Sequence, residues 1–379
     1  MTGEATYRAA RMVSAGVQEH FEAQLNEARQ KGEERLAQAP SKQTIETMID
    51  RAFWASLRRE EGYSPKISLA YLPPEEASMP LLLEERLPFS SYTLTKMAPG
   101  VERPGIHLGV WEEEGQLYIW GSTQNLPNFC FVLDVSEPGL LVVKYRRKQG
   151  FGKFSNVAVL IGDQVKMVDQ SSARLPDCMS LLTSLLSSDS ATEDDSVNVL
   201  VQLAVSMRRH AHGGSLLIVP ADTYAWHDSI IHPIRYAVKP AYTGLAELLQ
   251  SQVEFGSQSL WKEALRKEVD NLAGLTAIDG ATIINDRYEL LAFGTKIARR
   301  KGGAPVEKIL TTEPVIGGVA AVVSSALNGG TRHLSAAQFV HDQRNALALV
   351  ASQDGRFTIF TWSACEDMVQ AHQIDALLL

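Results

Sequence analysis

Three glycine-marked turns in the second half of the chain hold residue types that could grip phosphate. In "HGGSLLIV" (212–219) two glycines lead into an apolar run. In "LTAIDGATII" (275–284) Asp279 stands directly before Gly280 and Ala281. In "GGTRHLSAAQF" (329–339) Gly330 is followed by Thr331, Arg332 and His333. Small residues at strand ends let a ligand approach the backbone closely, and amides exposed in such turns attract anions. Arg332 can add a two-pronged contact to phosphate, and His333 a second donor. Asp279 has the chemistry to hold a divalent cation or to accept a proton from an attacking hydroxyl. Taken singly, each turn is more simply a hairpin with solvated charges.

The elements that must position these residues are legible in the apolar spacing. Residues 4–61 read as helical, with Tyr7, Ala10, Val13, Val17, Phe21 and Leu25 recurring at intervals of three and four. "APSK" (39–42) breaks the run, and Ser41 is placed to cap a second helix carrying Ile45, Met48, Ile49, Phe53 and Leu57. From about Ser64 the texture alternates, as in "GIHLGVWEEEGQLYIWGS" with its turn at Glu114–Gly115, and strands are expected. "SSDSATEDDS" (187–196) is acidic and lacks large apolar side chains, so it reads as a linker. Beyond it, helical and strand patterns alternate: "VNVLVQLAVSMRRHAHGG" as a helix, "SLLIVPA" as a buried strand, and "GATIINDRYELLAFGTKI" as strand, turn and strand. The expected organisation is a helical arm (1–63), a mostly antiparallel β domain (64–190) and an α/β domain (191–379) whose mixed sheet is flanked by helices.

In this order the turns resemble the diadenylate cyclase (DAC) domain family, which carries a glycine-led first strand, a "DGA" motif before a hairpin, and "GTRH" entering a helix. The matching pieces are "GGSLLIVPA" (213–221), "DGATII" (279–284), "GGTRHLSAA" (329–337) and "ASQDGRFTI" (351–359). The arrangement is closest to the divergent branch described as DACNV sensor domains, in which an N-terminal region precedes the DAC-like part. The resemblance implies nucleotidyl transfer, in which a ribose 3′-hydroxyl attacks an α-phosphate and a cyclic or linear dinucleotide forms. It implies Asp279 as the catalytic residue and, with Asp354, as a ligand of Mg²⁺ or Mn²⁺. Gly280, Ala281, Gly330, Thr331, Arg332, His333 and Ser352 would hold the nucleotide. Two facing copies are implied, hence a homodimer or higher oligomer. Two positions depart from the family: Leu334 stands where it has arginine, and Gln353 with Asp354 where it has two glutamates. Arg299, Arg300 and Lys301 lie nearby in sequence, and sequence alone leaves open whether they replace the lost charge. The other reading is a module that kept the pocket and lost turnover, sensing a nucleotide or dinucleotide and signalling to an effector protein.

Composition limits the alternatives. The 379 residues are 45% hydrophobic and 21% charged, which is globular, and the net charge of −8 disfavours a duplex-DNA surface. No apolar run approaches the ~20 residues needed to cross a bilayer, and the first residues lack the apolar core of a secretory signal. Cys130, Cys178 and Cys365 are too widely spaced for a disulfide framework, and a cytoplasmic location is expected. Cys178 and Cys365 sit among apolar neighbours and are expected in the core. His210 and His212, with His227 or His232, read better as helix-end residues than as metal ligands. The basic and aromatic "KYRRKQGFGKF" (144–154) reads as a solvated turn rather than a single-strand nucleic-acid surface.

Overall fold

The side chains of Val13, Val17, Phe21 and Leu25, spaced four apart, all fall on the buried stripe of one helix, α1 (Arg8–Gln30). A computed structural model describes residues 5–33, 36–147, 154–169, 195–251, 258–327 and 329–379. It divides into a first unit built on residues 1–169 and a second on residues 192–378. Residues 187–194 of the expected linker (187–196), residues 148–153 of the basic stretch (144–154) and Cys178 lie outside the described residues; Asp195 and Ser196 are helical, and residues 144–146 and 154 are in strands.

In the first unit, α2 (Lys42–Ser56) starts at Ser41, whose hydroxyl accepts a hydrogen bond from the Thr44 amide and so satisfies one orphan helix donor. Eight strands follow: β1 (Ile67–Tyr71), β2 (Leu81–Pro88), β3 (His107–Glu113), β4 (Gln116–Thr123), β5 (Phe131–Glu137), β6 (Leu140–Arg146), β7 (Phe154–Ile161) and β8 (Gln164–Met167). They form one sheet in the order β2-β4-β3-β1-β5-β6-β7-β8. Only the β1–β3 pairing is parallel. The β3–β4 turn falls at Glu114 and Gly115, both with positive φ (50° and 74°), as a tight hairpin requires. Strand alternation sends Phe131, Leu133 and Val135 to a core shared with α1 and α2, while Cys130 and Val132 join Leu72 and Trp120 on the other face. A further helix, α3 (Ser91–Val101), is capped by Ser90. The alternating pattern concealed it, because the element is short and carries Pro99 and Gly100 in its last turn.

The second unit holds α4 (Asp195–Arg209), α5 (Gly244–Gln250), α6 (Gln258–Leu275) and α7 (Thr331–Asp342), which makes seven α-helices among the described residues. Its strands are β9 (Gly214–Val219), β10 (Tyr236–Tyr242), β11 (Ala281–Asn285), β12 (Leu290–Thr295), β13 (Lys308–Thr312), β14 (Ala321–Ser324), β15 (Leu347–Ala351), β16 (Phe357–Ser363) and β17 (Met368–Gln373). The sheet order is β10-β12-β11-β9-β15-β16-β17-β13-β14. The β9–β11 and β13–β17 pairs are parallel and the rest antiparallel, so the fold is mixed α/β. Every residue of β9 is buried, which is why its sequence is a continuous apolar run rather than an alternation. α7 lays Ala336, Ala337, Phe339 and Val340 on Leu217, Ile283, Val350 and Phe360. Truncating a fully buried side chain such as Phe339 to alanine costs about 3–5 kcal/mol, so the position of α7 on the sheet is firmly specified. Cys365 corrects the sequence expectation: it is exposed, in the β16–β17 turn. Its apolar sequence neighbours point inward from the strands, and the turn carries the cysteine out of the core.

Candidate functional site

Strand register brings the three glycine turns to one end of the second sheet. Gly214 stands opposite Ala351, Ser215 opposite Ala281, Ala281 opposite Thr295, and Ala351 opposite Phe357. The turn before β9, the Asp279–Gly280 turn before β11, the exit of β12 and the β15–β16 turn therefore share one rim. The first turn of α7 reaches the same rim, because His333 Nε2 lies 3.3 Å from Thr358 Oγ1 at the start of β16.

Gly280 is indispensable to this convergence. Its φ is +120°, and a β-carbon there would come within 2.5 Å of the Gly294 carbonyl carbon. Only glycine lets the entry of β11 touch the exit of β12 so closely. The same approach sets Lys296, the residue after β12, beside Asp279. Lys296 Nζ lies 2.6 Å from Asp279 Oδ2. That hydrogen bond and charge, with a smaller contribution from Arg332, hold the Asp279 carboxyl below the usual carboxylate range.

Arg332 is half-buried in the first turn of α7. A β-carbon at Gly213 would stand 2.9 Å from Arg332 Nη1, so the guanidinium lies over the turn that opens β9. Among the described residues it has no hydrogen-bond or ion-pair partner at contact distance. Among the described residues no side chain caps α7, whose N-cap is Gly330. The result is a guanidinium beside uncapped helix amides, an arrangement suited to an anion.

His333 differs in kind from Arg332. It is only 6% exposed, sits edge-on to the Phe360 ring, and burial holds its imidazole below the ordinary histidine pKa. It is a neutral ring that anchors the helix start. Leu334, on the next step of the helix, is 40% exposed and does not pack into the core with Phe339. In the β15–β16 turn, the Ser352 side chain hydrogen-bonds to Asp354 and holds its carboxyl below the usual range, and Arg356 Nε stands 3.3 Å from Asp354 Oδ2. Gln353 donates to the His212 carbonyl at 3.4 Å.

Arg300 is not part of this rim. Its amide binds Asp342 at the last residue of α7, and its side chain faces Asp228. Asp342 lies ten residues along α7 from Arg332, about 15 Å of rise. The cation beside Asp279 is instead Lys296, which the sequence reading passed over. The signal for it was a lysine at the exit of the hairpin that "DGA" opens, where antiparallel register returns the chain to its starting point.

Asp279 and Asp354 each already face a cation, and no group of three or more His, Cys, Asp or Glu side chains gathers to hold a metal among the described residues. These residues do not form a protein-built metal centre. The histidines stack as two pairs, His210 with His212 and His227 with His232, rather than converging.

The first unit has a cavity of its own, about 590 Å³, lined by Leu36, Leu126 and Pro127 with Glu75, Glu76, Asn125 and Asn128. No helix among the described residues is long and apolar enough to cross a membrane. Residues 34–124, a stretch that takes in α2, α3 and β1 to β4, match the family model described as "Probable sensor domain DACNV". No curated protein matches the chain.

Proposed function

We propose that the second unit binds the phosphates of a nucleoside triphosphate or dinucleotide, and that the chain acts as a nucleotide sensor rather than as a transferase. The observation that carries this reading is Arg332: a half-buried residue whose guanidinium has no partner among the described residues, laid over a glycine turn at a helix start that none of their side chains caps. Buried or half-buried arginines ordinarily find an acceptor, and phosphate matches the fork of donors that this one presents.

Asp279 favours sensing over turnover. A residue that prepares a hydroxyl for attack works best with a pKa near the working pH. Lys296 moves Asp279 the other way, keeping it charged and weakly basic. The match of residues 34–124 to a probable sensor family supports the same reading. Output would pass to an effector protein or to a second copy of the chain.

Transfer is the second reading, and the specific observation in its favour is that Asp279 and Arg332 share one rim with the glycine turns. One experiment separates the two. The protein is titrated with each NTP and dNTP and with cyclic and linear dinucleotides by calorimetry, and the same mixtures are assayed for pyrophosphate and for products by mass spectrometry. Saturable binding without pyrophosphate is expected. Pyrophosphate release that is lost in Asp279→Asn would establish transfer, and no binding by any of these ligands would overturn both readings.

A further inference from the structure

The geometry points to a phosphate site that works without a divalent metal, with the Lys296 ammonium standing where a metal ion would otherwise offset Asp279. This inference rests on the nucleotide-binding reading above and specifies how the charge of the ligand is met. The resemblance to the diadenylate cyclases implies Mg²⁺ or Mn²⁺ on Asp279 and Asp354, and the residues present disagree with that.

Three observations carry it. Lys296 Nζ is 2.6 Å from Asp279 Oδ2, so a cation on that oxygen would have to evict the ammonium or share its place. Two positive charges on one carboxylate oxygen repel each other. An exposed ion pair is ordinarily a loose, replaceable contact, but here the backbone keeps the two residues neighbours. Gly280 abuts Gly294 and Thr295, and the Thr295 hydroxyl donates to the Ala281 carbonyl at 2.7 Å. These contacts hold the two ends of the β11–β12 hairpin, and with them Asp279 and Lys296, side by side.

The second candidate ligand, Asp354, faces Arg356 and hydrogen-bonds with Ser352. No third carboxylate, histidine or cysteine joins either of them among the described residues. Finally, the rim already carries Lys296, Arg332 and Arg356 against Asp279 and Asp354, so the fixed cations outnumber the carboxylates. A polyphosphate arriving there meets a positive surface without importing a cation.

The test is calorimetric binding of inorganic triphosphate and of ATP, GTP, CTP and UTP to the full chain, in EDTA and in 5-fold molar excess of Mg²⁺ over ligand (about millimolar concentrations). Affinity in EDTA within about threefold of that in Mg²⁺ is expected. In Lys296→Met, Asp279 is left uncompensated, so affinity in EDTA is expected to fall about tenfold or more and to recover with Mg²⁺. In Asp279→Asn, removing the negative charge leaves affinity in EDTA unchanged or tighter, whereas a metal-ligand role would weaken binding in Mg²⁺. Both side chains are exposed, and an unchanged melting temperature shows that each variant is folded. Binding by the unaltered chain only when Mg²⁺ is present would overturn the inference and leave nucleotide binding standing. No binding in either condition would instead remove the nucleotide reading on which it rests.

Discussion

His333 and Thr358 meet where α7 crosses the start of β16, with imidazole Nε2 3.3 Å from the threonine hydroxyl. This contact turns one half of the Arg332–His333 pair inward and leaves the other half at the rim. Adjacent residues in the first turn of a helix point about 100° apart, so one can anchor while its neighbour faces a ligand. Replacing His333 with alanine is therefore expected to cost about 2 kcal/mol or more of stability through lost packing and an unpaired threonine hydroxyl. Because the ring is neutral and its pKa is lowered, acidification from pH 7.5 to 6.5 should not tighten nucleotide binding. Urea unfolding and calorimetry at the two pH values check both statements; affinity that rises with protonation would give His333 a direct charge on the ligand.

Arg332→Gln keeps a planar donor group and removes the charge. A charge-assisted hydrogen bond contributes about 1.5–3 kcal/mol, so nucleotide affinity is expected to fall roughly 10- to 100-fold. Arg332→Lys should recover only part of it, because an ammonium cannot reproduce the two-pronged contact. The melting temperature of the unliganded protein should barely move, since the guanidinium has no partner among the described residues to lose. Equal affinity in Arg332→Gln would place the phosphates elsewhere.

Leu334 stands where the resemblance implies arginine, and the structure leaves it exposed. A packed leucine would mark a remodelled helix start, and an arginine there would be buried and unpaired. At 40% exposure the site instead admits a long side chain to solvent. Leu334→Arg is expected to change stability by less than about 0.5 kcal/mol, as for an ordinary surface position. It should strengthen triphosphate binding severalfold by adding a cation at the helix start, two residues along α7 from Arg332. A large drop in melting temperature would show that the leucine is held by contacts after all.

Gly280 tests the geometry of the rim. At φ +120°, with the Gly294 carbonyl 2.5 Å from the site of a β-carbon, alanine adds both strain and a clash with backbone that cannot swing away. Gly280→Ala is expected to cost about 2–3 kcal/mol, and to weaken nucleotide binding as the Asp279–Lys296 alignment shifts. Gly302 is the control: it also has positive φ but meets nothing within 4 Å, so alanine there costs about 1 kcal/mol and leaves binding intact.

Much of this was legible before the structure. The intervals of Val13, Val17, Phe21 and Leu25 gave α1, Ser41 gave the start of α2, and Glu114–Gly115 gave a hairpin. Local chemistry decides those features, so local sequence reports them. What sequence could not supply was the partner of each charge. Lys296 lies 17 residues beyond Asp279 and meets it only through hairpin register, whereas Arg300, four residues further on, is carried to the opposite end of α7. The inward turn of His333 likewise depends on Phe360 and Thr358, which arrive from a strand that follows it in the chain. Burial on both faces of β9 hid its pairing order as well, because an all-apolar strand carries no alternation to read.

Two buried histidines outside the rim give each unit an acid-sensitive point. His20, on α1, and His372, on β17, both have their pKa pushed down to about 4 by burial. In each ring Nε2 is buried without a hydrogen-bond partner among the described residues, while Nδ1 of His372 contacts the Thr312 hydroxyl at 2.7 Å. Protonation would therefore add a charge and a donor where nothing accepts it. The sign follows from proton uptake: between the unfolded value near 6.5 and the folded value near 4, the unfolded chain binds more protons, so stability rises with pH and is lost on acidification. Each histidine contributes up to about 3 kcal/mol of stability that is fully present above pH 6.5 and is lost as the pH falls toward 4. Thermal melts from pH 7.5 to 4.5 should show a falling melting temperature in the unaltered chain. The decline should be shallower in His372→Gln and in His20→Phe, each of which removes one titrating ring. Comparing slopes rather than absolute temperatures separates the titration from the packing change that each substitution also makes. Parallel slopes in all three proteins would show that neither histidine governs the acid response.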